Sequence, residues 1–236
     1  MADKERHVFL LIGQSNMAGR APIEEADKLP VPGAFLWNVG AERWEPALPP
    51  YNRYSPSRKG IDEQHLNPGP AFARAYLKAN PEAEIGMICS CRGATRIGQW
   101  VKDDPDPFDL YRHAVDAAKL AVEEEGCVLK GILWHQGESN IQNADEYPEK
   151  FARLVRNLRA DLGKNTPVVF GQIGQWNSDH AAFNKMIVEQ VKNISKSAVV
   201  VTDRLKNLDG FHFDTAAQRL LGKRYAAKVL ELLKKK

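Results

Sequence analysis

HVFLLIGQSNMAG, residues 7–19, opens on five consecutive apolar residues, Val8 to Ile12, and breaks at Gly13 into a polar turn. A short continuous apolar run ended by glycine predicts a strand buried on both faces of a parallel sheet. Ser15 follows that strand directly, between Gly13 and Gly19. A serine so placed can sit on a tight turn at the foot of a helix, with its hydroxyl exposed and its own N–H pointing where an oxyanion would form. It can equally serve as the N-cap of that helix. The stretch is not a G-x-S-x-G elbow, because Met17 stands where the second glycine belongs.

Outward from this segment, strand-like and helix-like stretches alternate. Strands are expected at 83–90, 128–135, 167–173 and 198–202, with a further short one at 34–38. Helices are expected at 70–79, ending before Pro81, and at 110–125, closed by Gly126. Phe151, Leu154, Val155, Leu158 and Leu162 form one apolar stripe followed by Gly163. Phe183, Ile187, Val191 and Ile194 mark another helix. The last begins at Thr215, where Thr215 and Gln218 match a capping box, and its apolar face runs through Leu221, Tyr225, Val229 and Leu233. This alternation predicts an α/β fold in which five main parallel strands are covered by helices on both faces, in one domain spanning 1–236. The irregular stretch at 45–68 is long enough to be functional or mobile. Ligands of such sheets bind beyond the carboxyl ends of the strands.

Composition narrows the function classes. A chain of 236 residues buries a core without staples. With 33 basic and 30 acidic residues, the charge is too balanced for a nucleic-acid partner. The closing run Lys234, Lys235, Lys236 reads as a solvated helix end. No stretch of 18 apolar residues exists, so no membrane span is expected. The apolar run at 8–12 is too short for a secretion signal. The expectation is a cytoplasmic protein as given, or a secreted or periplasmic one whose leader was removed. Cys89, Cys91 and Cys127 are odd in number, which argues against a disulfide framework, and they lack zinc-like spacing, so no metal is expected.

The chemistry gathers at strand ends. Of six histidines, His7, His65, His113 and His180 lie outside any motif. His212 lies in Leu208-Asp209-Gly210-Phe211-His212-Phe213, just before the last helix. Asp209, three residues earlier, can hold its imidazole, and Asp214 can act as a helix cap instead. After the strand at 128–135 come Gln136, Gly137, Glu138, Ser139 and Asn140, polar residues that can serve as oxyanion donors or merely form a turn. His135 is a second base candidate or a buried strand residue. After the strand at 83–90, Gly93 can bring a backbone N–H close to a ligand, and Arg92 and Arg96 can touch substrate or sit at the surface.

These segments resemble those of the SGNH hydrolase superfamily, and within it the branch of carbohydrate esterase family 6 acetylxylan esterases and sialate O-acetylesterase-related proteins. Gly13-Gln14-Ser15-Asn16-Met17 matches the nucleophile block, Gln136 to Asn140 the Q-G-E-S-[DN] block, Asp209 and His212 the D-x-x-H block, and Gly93 the glycine of the second block. The resemblance implies a flavodoxin-like, three-layer α/β/α fold with a five-stranded parallel sheet. It implies Ser15 as nucleophile, His212 as base and Asp209 as its orienter. It also implies an oxyanion hole of the Ser15 and Gly93 N–H groups and the Gln136 amide, with Asn140 as rival donor. The second block departs from the pattern, reading Arg92-Gly93-Ala94-Thr95, and the wider superfamily's G-x-N-D asparagine is absent.

The function expected is serine esterase action, through an acyl-enzyme and without cofactor, on O-acetyl esters of carbohydrates. Gln14, Asn16, Arg92, Glu138 and Asn140 are candidate substrate contacts. Xylan, sialic acid and pectic esters all remain open, and Trp37, Trp44, Trp100 and Trp176 are candidates to stack on sugar rings or to fill the core. The rivals are a thioesterase, lipase or acyltransferase on the same fold, and a non-catalytic carbohydrate-binding protein.

Overall fold

Strand β1 (Arg6–Gly13) is the middle strand of a seven-stranded sheet. The structure, a computed structural model, describes residues 4–103 and 106–234. Parallel partners flank β1 on both sides: β4 (Glu84–Cys91) and β5 (Cys127–His135). Beyond β5 lie β6 (Val168–Gly171) and β7 (Ser197–Val200), both parallel. Beyond β4 lies β2 (Ala34–Asn38), parallel, and then β3 (Arg43–Pro46), antiparallel to β2. Helices are α1 (Ser15–Ala18), α2 (Gly69–Ala79), α3 (Leu110–Glu123), α4 (Tyr147–Leu162), α5 (Ser178–Lys192) and α6 (Thr215–Lys234).

The period-2 geometry of β1 divides the core. Val8, Leu10 and Ile12 face one layer with residues of α3, α4 and α5, while Phe9 and Leu11 face the other with residues of α2 and α6. All five are fully buried, which is why the run shows no polar alternation. Phe9 meets Phe72 and Tyr76 edge-on, with ring centroids 4.9 and 4.8 Å apart.

The fold class matches the sequence reading, but the sheet has seven strands, not five. Beyond the five main strands, β2 is the short strand expected at 34–38, and β3, paired with it at one edge, is the addition. β3 is four residues long, largely exposed and ends in Pro46, so it carries no alternating apolar signal. Its main purchase is Trp44, packed edge-on against Trp37 and under the Arg6 guanidinium. The expected capping box at Thr215 does not form. Asp214 Oδ1 caps the Ala217 N–H at 2.7 Å, Thr215 Oγ1 donates to the Pro22 carbonyl, and Gln218 reaches into the site instead. Of the basic end, Lys235 and Lys236 lie outside the described residues. No described helix is long and apolar enough to cross a membrane.

Register places the functional loops. Gly13 is level with Cys91 on one side and His135 on the other, so the chain leaves β1, β4 and β5 at one rim. Chain order reverses across β1, the switch point at which such sheets open a crevice. Gly13 has φ +138°, and a Cβ there would collide with the His135 carbonyl. Only glycine lets β1 turn into Gln14 so close to β5.

Candidate active site

Ser15 is the first residue of α1, a single helical turn wedged against the rim, and its side chain caps nothing. Its hydroxyl lies 3.0 Å from His212 Nε2. His212 Nδ1 lies 2.7 Å from Asp209 Oδ2. Since a carboxylate only accepts, Nδ1 carries the proton, and Nε2 is left to accept from the Ser15 hydroxyl. Residues 197 positions apart are thus joined in one hydrogen-bonded chain, carboxylate to imidazole to hydroxyl.

Asp209 builds its own turn. Its Oδ1 accepts from the N–H groups of Phe211 and His212, both at 2.9 Å, which folds the loop so that Oδ2 meets the ring. Partial burial works against the carboxylate. The hydrogen bonds from His212 and the two backbone N–H groups outweigh it and hold its pKa below the usual value. The loop is tied down at Asn16. Asn16 Nδ2 donates to the Phe211 carbonyl, and Asn16 Oδ1 accepts from Phe213 N–H, both at 3.1 Å. Gln218 Nε2 donates to the Asn16 carbonyl.

Gly93 sits beside the serine. A Cβ built on it would lie 3.5 Å from Ser15 Cβ and 2.7 Å from Arg20 Nη2. Among the described residues, the N–H groups of Ser15 and Gly93 donate to no protein acceptor, so both are free for a ligand. Asn52 positions this second loop by pairing with both backbone groups of Cys91, each at 3.0 Å. Asn52 belongs to the irregular stretch, which proves to be a buttress: Tyr51, Asn52, Ser55 and Ser57 are buried.

The remaining expected contacts divide. Gln14 lines the cleft, and its Oε1 accepts from Ser139 N–H at 3.4 Å and lies 3.2 Å from Gln136 Nε2. Its Nε2 has no protein partner among the described residues. Gln136 does not face the cleft. It is fully buried, and its Nε2 is bonded to the Thr95 carbonyl and Asn140 Oδ1, both at 2.8 Å. With both amide hydrogens committed there, it has none for an oxyanion. Asn140, also fully buried, turns its Oδ1 to Ile97 N–H. Asn16 is fully buried in the contacts above, so it does not meet substrate either. Arg92 points away: its guanidinium donates to the Ser57 carbonyl and lies 3.6 Å over the Phe108 ring. Glu138 lines the cleft, but its Oε1 accepts from Asn16 Nδ2 at 2.6 Å, and burial pushes its pKa up. His135 is fully buried, bonded to the Tyr225 hydroxyl, and burial pushes its pKa down to about 3. It is no base for Ser15.

The cleft over Ser15 has a volume of about 380 Å³. Arg20, Lys59, Glu63 and Phe211 also line it, and the sequence did not mark them. Arg20 is anchored by two carbonyls, Gly19 and Glu63, and by the Glu63 carboxylate. Phe211 is 66% exposed, a large aromatic on a fixed backbone at the rim. Its place between Gly210 and His212 in a polar loop was the one visible signal. None of the four tryptophans named above lines the cleft; Trp37 and Trp100 are core, and Trp176 packs on Phe213. A larger cavity, about 550 Å³, opens along α3. Its described lining brings no nucleophile and base together. Cys89, Cys91 and Cys127 are free thiols, and no group of potential metal ligands forms among the described residues.

The family model described as carbohydrate esterase, sialic acid-specific acetylesterase matches residues 5–231. The chain belongs to this family. A probable carbohydrate esterase of Arabidopsis thaliana is 31% identical over 243 residues, covering 91% of this chain and 86% of that one. The X-ray structure of an Arabidopsis thaliana protein superposes with a TM-score of 0.82 at 26% identity, covering 97% and 99% of the two chains. A carbohydrate acetylesterase from Xanthomonas citri shares the fold, with a TM-score of 0.72 at 21% identity, over 96% of this chain and 56% of that one. Carbohydrate esterase membership therefore stands, whereas the narrower acetylxylan esterase branch is not what the family model names.

Proposed function

We propose that this carbohydrate esterase hydrolyses O-acetyl esters of carbohydrate hydroxyls through an acetyl-enzyme on Ser15. The observation that carries this reading is the chain from Asp209 Oδ2 through His212 to the Ser15 hydroxyl, with bonds of 2.7 and 3.0 Å. A serine hydroxyl is a weak nucleophile until a base in contact takes its proton, and a base needs a partner that fixes its tautomer.

In the first half of the reaction, Ser15 Oγ attacks the acetyl carbonyl carbon while His212 Nε2 takes its proton. Asp209 keeps Nδ1–H in place and faces the imidazolium that forms. The oxyanion is received by the Ser15 and Gly93 N–H groups. The Gln14 amide, its oxygen accepting from the Ser139 N–H, supplies the third donor in place of the Gln136 amide. The bond from carbon to sugar oxygen then breaks, and His212 returns the proton to that oxygen. In the second half, His212 takes a proton from water as the water attacks the acetyl-serine, and acetate leaves as Ser15 is restored. Each step uses side chains and backbone N–H groups of this chain together with water. The Phe211 ring offers an apolar face for the sugar at the cleft mouth.

The test is acetate release from defined acetylated sugars, with Ser15→Ala as the blank. The parent is expected to release acetate and the variant to release none above background while retaining its circular dichroism spectrum. Undiminished release by the variant would remove Ser15 from the reaction. On nitrophenyl esters of increasing chain length, activity is expected to fall beyond acetyl; a rise toward long chains would favour a lipase-like enzyme.

A further inference from the structure

We infer that Glu138 is a positioning residue for the Ser15–His212 pair, acting through Asn16; the inference rests on the reaction proposed above. Asn16 follows the nucleophile in sequence and grips the base loop on both sides of His212, at the Phe211 carbonyl and the Phe213 N–H. One amide thus sets the position of the imidazole relative to the hydroxyl. An amide can be rotated end for end in the same space, and the two orientations differ only in their hydrogen bonds. In the observed orientation, Nδ2 donates to Glu138 Oε1 and the Phe211 carbonyl, while Oδ1 accepts from Phe213 N–H. Turned over, Asn16 would set oxygen against two acceptors and nitrogen against a donor.

Glu138 is what makes this choice firm. Its bond to Asn16, at 2.6 Å, is the shortest of the three. A carboxyl group offers an acceptor whichever way it turns, which a glutamine would not. The arrangement is also costly to keep for stability alone. Glu138 is a buried acid whose second oxygen, Oε2, has no hydrogen-bond partner among the described residues. The adjacent His135 Nε2, 3.8 Å from Oε1, is likewise unpartnered. Removing it alone takes one of two acceptors from Asn16 Nδ2, so some stability is lost, and its role at the site is read in the rate. The residue lines the same cleft as Ser15 and His212. A displacement of the base by about 1 Å is enough to cost on the order of 100-fold in rate.

The experiment measures kcat and KM for acetyl ester cleavage in Glu138→Leu, Glu138→Gln, Asn16→Ala and the double variant Asn16→Ala/Glu138→Leu. Each is checked for melting temperature and for the proton resonance of His212 Nδ1–H. Glu138→Leu is expected to lose roughly 30- to 100-fold in kcat with KM within about twofold, and to broaden the His212 resonance. Glu138→Gln should recover most of that loss, since its oxygen can still accept from Asn16. The double variant should be no worse than Asn16→Ala, because both changes remove one device. Should Glu138→Leu unfold the chain, Asn16→Asp/Glu138→Gln, which exchanges donor and acceptor, should exceed Asn16→Asp alone by about tenfold.

Glu138→Leu with kcat within twofold of the parent would overturn the inference, as would a loss confined to KM. So would multiplicative losses in the double variant, or no gain from the exchanged pair. If the parent cleaves no acetyl ester, the reaction proposed above fails. The His212 resonance then still reports on Glu138: an unchanged signal in Glu138→Leu refutes the positioning role, and a broadened one supports it.

Discussion

The two halves of the site are held by different forces. The Ser15 turn is part of the core: Ser15, Asn16, Met17 and Ala18 are all buried, and the strand feeding them is sealed on both faces. The His212 loop is open from Leu208 to Phe211 and is packed at its end, where Phe213 is fully buried against His135 and Trp176. Leu208 and Phe211 are exposed, the Asp209 side chain is 47% exposed, and the loop holds its shape through Asp209 and Asn16 hydrogen bonds. Packing positions the serine, whereas polar contacts, with the neighbouring Phe213 as the packed anchor, position the histidine. Damage on the first side should therefore appear as lost stability, and damage on the second as lost rate.

The harshest test of the packed side is Gly13→Ala. The left-handed backbone and the collision with the His135 carbonyl should cost at least about 3 kcal/mol, read from the denaturant midpoint. A change under 1 kcal/mol would show that the turn is not held as described. On the loop side, Asp209→Asn should lower kcat by roughly 100- to 1000-fold with the melting temperature unmoved. The asparagine keeps Oδ1 for the turn but presents hydrogens to His212 Nδ1, which favours the wrong tautomer. A well-buried triad aspartate is worth about 10⁴-fold, and solvent around this one reduces the penalty. A melting point shift of several degrees would contradict the division between the halves.

A subtler effect belongs to the packed side again. His135 stays neutral in the folded chain until about pH 3, whereas in the unfolded chain it binds a proton near pH 6.5. Between those values the unfolded state holds one more proton, so its contribution lowers stability as pH falls, by about 1.4 kcal/mol per pH unit. His135→Gln should remove that slope even if it is less stable at neutral pH. Urea unfolding of the two proteins at pH 6.5 and 5 checks this, and equal slopes would refute it. The smallest effect is expected at the rim. Phe211→Ala should raise KM for acetylated sugars by about threefold, leaving kcat and stability alone, and an unchanged KM would deny the ring a place in sugar binding.

The same contrast explains what the sequence disclosed. Core geometry writes itself into periodicity, so β1, the parallel strands beside it and the apolar stripe of α4 were readable residue by residue. β2 was read at 34–38, whereas β3 escaped because an exposed four-residue edge strand ending in Pro46 needs no alternation. Ser15, His212 and Asp209 were readable because each sits in a short motif beside an element boundary. Which of the neighbouring amides faces the cleft was not, since that depends on side-chain rotation. Gln136 and Asn140 turn into the core toward Thr95 and Ile97, Asn16 turns to the base loop, and Gln14 alone is left at the surface of the cleft. Lys59 and Glu63 arrive from the irregular stretch, where no periodicity places a side chain.

The most direct test of the Ser15–His212 pairing is covalent capture by a fluorophosphonate. Ser15 Oγ should attack phosphorus with loss of fluoride, as His212 takes the hydroxyl proton. The account predicts one adduct per chain, mapped by mass spectrometry to the peptide carrying Ser15, and labelling slowed at least about 100-fold in His212→Ala. An adduct on any other residue, or labelling of Ser15 at the parent rate in His212→Ala, would contradict it.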